Sequence, residues 1–160
     1  MKKILKHIIV ILCVTAFISC DTEKGYEDFT IEESPVKAVS GDWIVEIYRD
    51  GVLDGVDIIT TSNTSENIAT EMLLDDKEHG WGLLTKVSLD LENLTFSGTD
   101  LPELYFGVTV TIDGQFTKNG GTTPLGATTD AISFTAVFSD IPTEVWEYKG
   151  YKRSGFLEDQ

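Results

Sequence analysis

The chain has 160 residues, of which 27 are acidic and 12 basic, so its formal net charge at neutral pH is −15. A field of that sign repels phosphate backbones and anionic lipid surfaces, which argues against nucleic acid as a partner. The length fits one domain with a core large enough to fold without disulfides or metals.

The first twenty residues have the order of a bacterial export signal. Lys2, Lys3 and Lys6 form a basic region, and residues 8–18 are apolar with one exception. That run is shorter than the roughly 20 residues a membrane-spanning helix needs. We therefore expect residues 1–19 to be a cleaved signal peptide; a membrane-anchoring helix is the alternative.

The residues before Cys20 resemble the lipobox of bacterial lipoproteins. Ser19 is the small residue expected before the cysteine, although Phe17 stands where Leu or Val is usual. Cleavage at Cys13 would leave an apolar stretch exposed at the new N-terminus. We predict that Cys20 is acylated, which anchors the protein firmly because each buried methylene contributes about 0.8 kcal/mol. The expected location is the outer membrane, facing the periplasm or the cell surface.

Removal of residues 1–19 takes away three lysines and no acid, so the net charge becomes −18. It leaves Cys20 as the sole cysteine, which excludes an internal disulfide and cysteine-ligated zinc. Residues 20–40 are polar, acidic and without periodicity, which predicts a tether. Residues 41–160 are expected to form the folded domain.

From Gly41 onward, apolar and polar residues alternate with a period of two, which is typical of half-buried strands. The first apolar face comprises Trp43, Val45 and Ile47. Asp50-Gly51 predicts a tight hairpin turn into a second strand that begins at Val52. Residues 69–74 fit either a strand or a helix capped by Ser65, and the neighbouring strand patterns favour a strand.

Three further segments alternate in the same way. Their apolar faces are Leu83, Val87, Leu89 and Leu91; Val108, Val110, Ile112 and Phe116; and Ile132, Phe134, Ala136 and Phe138. Glu92-Asn93 predicts a turn after the first of these segments, Asn119-Gly120-Gly121 the end of the second, and Pro142 the end of the third. Residues 94–97 and 145–156 supply two more strands.

About eight short strands with turns at nearly every boundary predict an all-β, antiparallel up-and-down meander that closes into a barrel. A β-sandwich of about seven strands is the alternative. With eight strands, the interior of a barrel is just filled by side chains or holds one small ligand.

Six short motifs are distinctive: the lipobox, Gly41-Asp42-Trp43, residues 60–64, Leu74-Asp75-Asp76, residues 96–99 and residues 153–159. Together they resemble a Bacteroidetes family labelled lipid-binding putative hydrolase, which is similar to lipocalins in fold. The resemblance implies a lipocalin-like barrel with a lipid site. It transfers no catalytic residue, so the hydrolase part of the label has no support from the sequence.

Catalytic chemistry has little basis in the sequence. His79 is the sole histidine outside the signal peptide, and no serine partner for a triad is identifiable. Asp75, Asp76 and Glu78 lack the spaced ligands of a calcium loop, so we interpret residues 75–80 as a charged, solvated turn. We assign no catalytic residue, metal or cofactor, and enzyme activity ranks below the two binding hypotheses.

The first hypothesis is a cup that binds a lipid or another apolar small molecule. Its ligand contacts would be the inward-facing residues Trp43, Val45, Ile47, Val87, Leu89, Val110, Ile112, Phe116, Phe134 and Phe138. Gly107 and Gly114 are expected to leave room or to widen the mouth. The second hypothesis is an accessory surface module with a packed core that binds a protein or glycan through its loops, with Trp81 as its exposed aromatic residue.

Overall fold

The computed structural model describes residues 33–80 and 82–156, which form a closed barrel of eight antiparallel strands. Each strand pairs with the next in sequence, and the last pairs with the first. The strands are β1 (Gly41–Arg49), β2 (Val52–Ser62), β3 (Glu71–Asp75), β4 (Leu84–Asp90), β5 (Thr95–Pro102), β6 (Thr109–Thr122), β7 (Thr128–Phe138) and β8 (Trp146–Lys152). The predicted eight-stranded barrel is confirmed, and the sandwich alternative is wrong.

Local sequence explains the first hairpin and the third strand. Asp50 and Gly51 have φ angles of 49° and 79°, the left-handed pair that a type I′ turn requires. In β3, Met72 and Leu74 are fully buried, two residues apart on one face. Because β2 and β4 supply hydrogen-bonding partners on both sides, this segment is a strand and not a helix.

One predicted turn is wrong. β6 continues through Asn119-Gly120-Gly121 to Thr122, with a register shift against β7 between Thr117 and Gly121. A Cβ on Gly121 would lie 2.6 Å from Tyr151 Cβ and 2.8 Å from Asp130 O, so the glycine permits close approach of the neighbouring strands. These residues therefore form a bulge within a long strand and not a turn.

The barrel interior is packed with side chains. All ten residues predicted to face inward are buried. Five aromatic rings form a continuous chain across the core, from Trp43 to Phe116, Phe96, Phe134 and Tyr148, with centroid separations of 4.3 to 5.9 Å. A Cβ on Gly114 would lie 2.4 Å from Phe96 Cζ and 2.5 Å from Phe134 Cβ. The room left by Gly114 is thus filled by these rings and does not widen a mouth.

The end of the barrel at the start of β1, here called the lower end, is covered by a 3₁₀ turn at Lys37–Val39. Val36 and Val39 are buried against the core. Thr61 Oγ1 accepts a hydrogen bond from Trp43 Nε1 at 2.8 Å and donates one to the Val39 carbonyl at 2.5 Å. The final residues of the segment predicted as a tether therefore pack onto the barrel.

The predicted signal peptide, Cys20 and Trp81 lie outside the described residues, so their assignments stay predictions. Within residues 33–80 and 82–156, no helix combines the length and the apolar character needed to cross a bilayer.

Candidate functional site at the upper end of the barrel

The opposite end, here called the upper end, carries the β1–β2 turn and the loops at residues 76–83, 103–108 and 139–145. The described residues include nine exposed large hydrophobic side chains, and six of them lie at this end. They are Val52, Leu53, Val56, Leu104, Phe106 and Val145. Exposed apolar residues that cluster at one end indicate an interaction site, whereas scattered single ones are normal on any protein surface.

The loop at residues 76–83 is organised by a buried carboxylate. Asp76 is fully buried and accepts hydrogen bonds from the backbone N–H groups of Glu78 at 3.0 Å and Gly82 at 2.8 Å. The expectation of a solvated turn is therefore wrong for Asp76, because its carboxylate replaces water as the acceptor for these amides. His79 agrees with the expectation, since its side chain is 64% exposed.

A second buried acid, which the sequence analysis missed, organises the loop at residues 103–108. Glu103 accepts hydrogen bonds from the N–H groups of Leu84, Tyr105 and Phe106 at 3.2, 2.8 and 2.7 Å. Tyr105 donates its hydroxyl to Asp75 at 2.7 Å, and this bond raises the pKa of the phenol. Glu103 and Tyr105 therefore fix this loop against β4 and the end of β3.

Phe106 lines an apolar cavity of about 460 Å³, here called the apolar cavity. Its lining residues are Gly82, Phe106, Val108, Phe138 and Asp140. The Phe106 ring lies directly on Gly82, where an added Cβ would come within 2.1 Å of Phe106 Cε2. Phe138 is fully buried and connects the cavity with the core. The volume falls within the roughly 300–1,000 Å³ of typical ligand pockets.

A smaller cavity of about 250 Å³ at the same end, here called the acidic cavity, lies against the upper half of β2. Its lining residues are Ile47, Asp54, Gly55, Val56, Asp57, His79, Gly80 and Trp146. β2 pairs with β3 from Thr60 to Ser62. Beside the earlier part of β2, His79 and Gly80 of the loop at residues 76–83 form part of the cavity wall. His79 Nδ1 lies 3.9 Å from Asp57 Oδ1.

A third cavity, here called the outer groove, lies on the outer wall of β5 to β8 and has a volume of about 510 Å³. Its lining side chains are mainly polar, with Phe96 and Phe134 beneath Gly114. They include Ser97, Asp113, Gln115, Thr135, Glu147 and Lys149. Lys149 forms an ion pair with Glu147.

The ten predicted ligand contacts do not surround one cavity. Phe138 lines the apolar cavity, Ile47 the acidic cavity and Phe134 the outer groove. The other seven belong to the packed core and line none of these three cavities. Their role as ligand contacts stays a prediction. In residues 33–80 and 82–156, no cluster of three histidine, cysteine or acidic residues is suited to hold a metal ion.

Barrels of eight strands are either filled by side chains or hold one small ligand, and the interior of this one is filled. The sequence profile of the family described as "Lipid-binding putative hydrolase" matches residues 28–157, and the chain belongs to this family. The predicted family is thus confirmed.

A solved structure from Bacteroides ovatus, described as structural genomics of unknown function, is similar to this chain at a TM-score of 0.45 and 15% identity. The match covers 72% of this chain and 42% of the other, so the chain spans less than half the length of that structure. No curated protein matches the chain.

Proposed function

We propose that the protein is a membrane-tethered lipoprotein that binds a lipid or another apolar small molecule in the apolar cavity at its upper end. The observation that carries the proposal is a cavity lined by both the exposed ring of Phe106 and the buried ring of Phe138. The family description adds lipid as the ligand class.

Binding would rest on burial of apolar surface. Glu103 holds the Phe106 backbone N–H at 2.7 Å, which positions the ring at the cavity. A hydrocarbon chain beside the ring would be removed from water, and this burial would stabilise the complex by about 25 cal/mol for each Å² of apolar surface. Exposed neighbours such as Leu104 would contact the part of the ligand that protrudes.

Filling the cavity tests the site. Val108→Trp should place an indole in the cavity and abolish binding of a fluorescent fatty acid, measured by titration of probe emission. Leu125→Trp is the matched control, because Leu125 is an exposed apolar residue in the loop between β6 and β7 at the lower end. If both variants bind the probe like the unmodified protein, the apolar cavity is not the ligand site.

The tether has its own test. Cys20→Ala should leave a precursor that is neither cleaved nor acylated, because the thiol is the acyl acceptor. Growth with a labelled fatty acid followed by immunoprecipitation measures the modification, and fractionation of the envelope measures the location. A Cys20→Ala protein that still carries label would contradict the proposed anchor.

The outer groove favours a second candidate function, an accessory module that binds a glycan partner. Its polar side chains, such as Gln115 and Thr135, match the hydroxyl groups of a sugar. Calorimetric titration with soluble oligosaccharides tests this candidate, and Gln115→Ala should weaken binding. Unchanged oligosaccharide affinity in Gln115→Ala would show that the outer groove is not the glycan site.

A further inference from the structure

The wall of the apolar cavity runs from the core to the solvent along the end of β7. Phe138 is fully buried, whereas Asp140, two residues later, is exposed and lines the same cavity. Between them, the Ser139 N–H donates to the Thr109 carbonyl at 2.8 Å, and the Thr109 N–H donates to Ser139 Oγ at 3.0 Å. These bonds fix the backbone that carries both lining residues. A bound amphiphile would therefore direct its hydrocarbon chain toward Phe138 and its head group toward Asp140.

Asp140 is the one charged residue that the described part of the chain contributes to this wall. The other lining residues are Gly82, Phe106, Val108 and Phe138. Among residues 33–80 and 82–156, no hydrogen bond or ion pair engages the Asp140 carboxylate. Its negative charge therefore acts on whatever group lies at the solvent end of the cavity.

The cations near this end are engaged elsewhere. The three loops of the upper end contain one lysine, Lys77, and no arginine. Lys77 Nζ lies 3.5 Å from Asp42 Oδ1, and Arg49, the last residue of β1, forms ion pairs with two other acids. His79 is exposed and lines the acidic cavity. A carboxylate head group in the apolar cavity would thus meet one negative charge and no cation in the described wall.

We infer that the apolar cavity selects single-chain lipids whose head group donates a hydrogen bond and carries no negative charge, such as a long-chain alcohol, with Asp140 as the selecting residue. This inference rests on the proposed lipid site. A hydroxyl donates a proton that a carboxylate accepts, whereas an ionised fatty acid has no donor and repels Asp140. A hydrogen bond to a charged acceptor is also stronger than one between neutral groups.

The cavity volume and the exposure of Asp140 set the size of the effect. About 460 Å³ lies in the lower half of the usual range for ligand pockets, which favours one alkyl chain over the two of a phospholipid. Burial of that chain supplies most of the affinity for either head group, so a fatty acid still binds. Because water and salt screen an exposed charge, the head group changes the affinity several-fold.

The first experiment compares two competitors of equal chain length, 1-decanol and decanoate. Each displaces the fluorescent fatty acid from the full chain at neutral pH, after direct titration of the probe. We expect decanol to bind at least tenfold more tightly than decanoate. Equal affinities, or tighter binding of decanoate, overturn the inference.

Variants assign the selectivity to Asp140, which is necessary because an alcohol is the more hydrophobic competitor in any site. Asp140→Asn should reduce the ratio of the two affinities at least threefold, mainly by tightening the binding of decanoate. Glu92→Gln is the matched control, because it removes one charge from an exposed turn at the lower end. It should change the ratio less than 1.5-fold. An equal change in both variants would mean that the overall charge decides, and would overturn the role of Asp140.

Charge reversal gives the opposite sign. Asp140→Lys should bind decanoate at least as tightly as decanol, because an ammonium group attracts the carboxylate. Its melting temperature should match that of the unmodified protein, since the side chain is exposed and makes no printed contact that folding needs. If decanoate binds Asp140→Lys no more tightly than it binds the unmodified protein, the head group does not lie at Asp140 and the inference is wrong.

Salt provides a readout that a change in packing would not move. The Debye length falls from about 10 Å at 0.1 M salt to about 3 Å at 1 M. The ratio of decanol to decanoate affinity should therefore fall more steeply with sodium chloride in the unmodified protein than in Asp140→Asn. An equal fall in both proteins would assign the effect to the net charge of the chain and overturn the inference.

Val108→Trp distinguishes failure of the site from failure of the selectivity. It should abolish binding of both competitors, whereas Asp140→Asn should retain both. Undiminished binding of both competitors by Val108→Trp overturns the lipid site and this inference with it. Loss of both in Val108→Trp, with an unchanged ratio in Asp140→Asn, leaves the lipid site in place and overturns the selectivity alone.

Discussion

The two ends of the barrel differ in how far their apolar side chains are covered. At the lower end, one hydrogen bond runs from Trp43 to Thr61 and a second from Thr61 to Val39 of the 3₁₀ turn. At the upper end, Phe106 is 66% exposed and lines a cavity. Local rules of packing and hydrogen bonding are most often broken at functional sites. The comparison assigns stability mainly to the lower end and binding to the upper end.

The largest expected effect is on the stability of the lower end. Trp43→Ala removes a fully buried indole and its contact with Phe116. We expect a loss of about 3–5 kcal/mol in the free energy of unfolding. Chemical denaturation followed by circular dichroism measures it. A loss below about 1 kcal/mol would mean that the lower end does not carry the stability assigned to it.

Thr61→Val should cost about 1–3 kcal/mol, because it leaves the buried Trp43 N–H and the Val39 carbonyl without their partner. The measurement is again the denaturation midpoint. Tyr148→Phe provides the opposite case, since the described residues offer its hydroxyl no hydrogen-bond partner. Equal changes in stability would show that the hydrogen bonds of Thr61 do not stabilise the lower end.

Asp42, at the start of β1, should make the stability of the barrel depend on pH. A hydrogen bond from Thr60 at 2.7 Å, opposed by partial burial and assisted by Lys77 and Arg153, lowers its pKa. Its contribution is therefore complete above the ordinary aspartate pKa of about 3.9 and is lost as pH falls through the lowered value.

Asp42→Asn should cost no more than about 1 kcal/mol at pH 7, because the amide still accepts from Thr60 but loses the charge that attracts Lys77 and Arg153. The difference between Asp42→Asn and the unmodified protein should disappear in strong acid. Thermal unfolding as a function of pH measures both quantities. A difference that persists unchanged below pH 2 would show that the charge of Asp42 is not its cause.

The smallest expected effect on stability belongs to Phe106. Phe106→Ala should change the free energy of unfolding by no more than about 0.5 kcal/mol, because an exposed ring contributes little to the core. Parallel denaturation curves of this variant and Trp43→Ala make the comparison direct. A loss of unfolding free energy near that of Trp43→Ala would show that the Phe106 side chain stabilises the fold.

The sequence predicted the barrel because its strands alternate so regularly. The ten residues predicted to face inward, from Trp43 to Phe138, are buried as expected. Residues two apart in a strand share one face of the sheet, so the apolar residues of each strand point the same way. The bulge at Asn119-Gly120-Gly121 was missed because its residues also form turns, and only the pairing partner in β7 decides between the two.

The site was less predictable, because it consists of loop residues without periodicity. Asp76 and Glu103 are acids in polar loops, and their burial depends on which backbone amides surround them. The alternation places Tyr148 in the last strand, but the absence of a partner for its hydroxyl among residues 33–80 and 82–156 depends on tertiary contacts. A signal existed for Phe106, an apolar residue just before Gly107 in the β5–β6 loop.

The central claim, that the upper end holds the ligand, is tested most directly by photocrosslinking with a diazirine-bearing fatty acid and mapping of the modified residues by mass spectrometry. The account predicts adducts on Phe106, Val108 and neighbouring residues of the loop at 139–145, and their loss in Val108→Trp. Adducts confined to the lower end, around Val36 and Leu125, would contradict it.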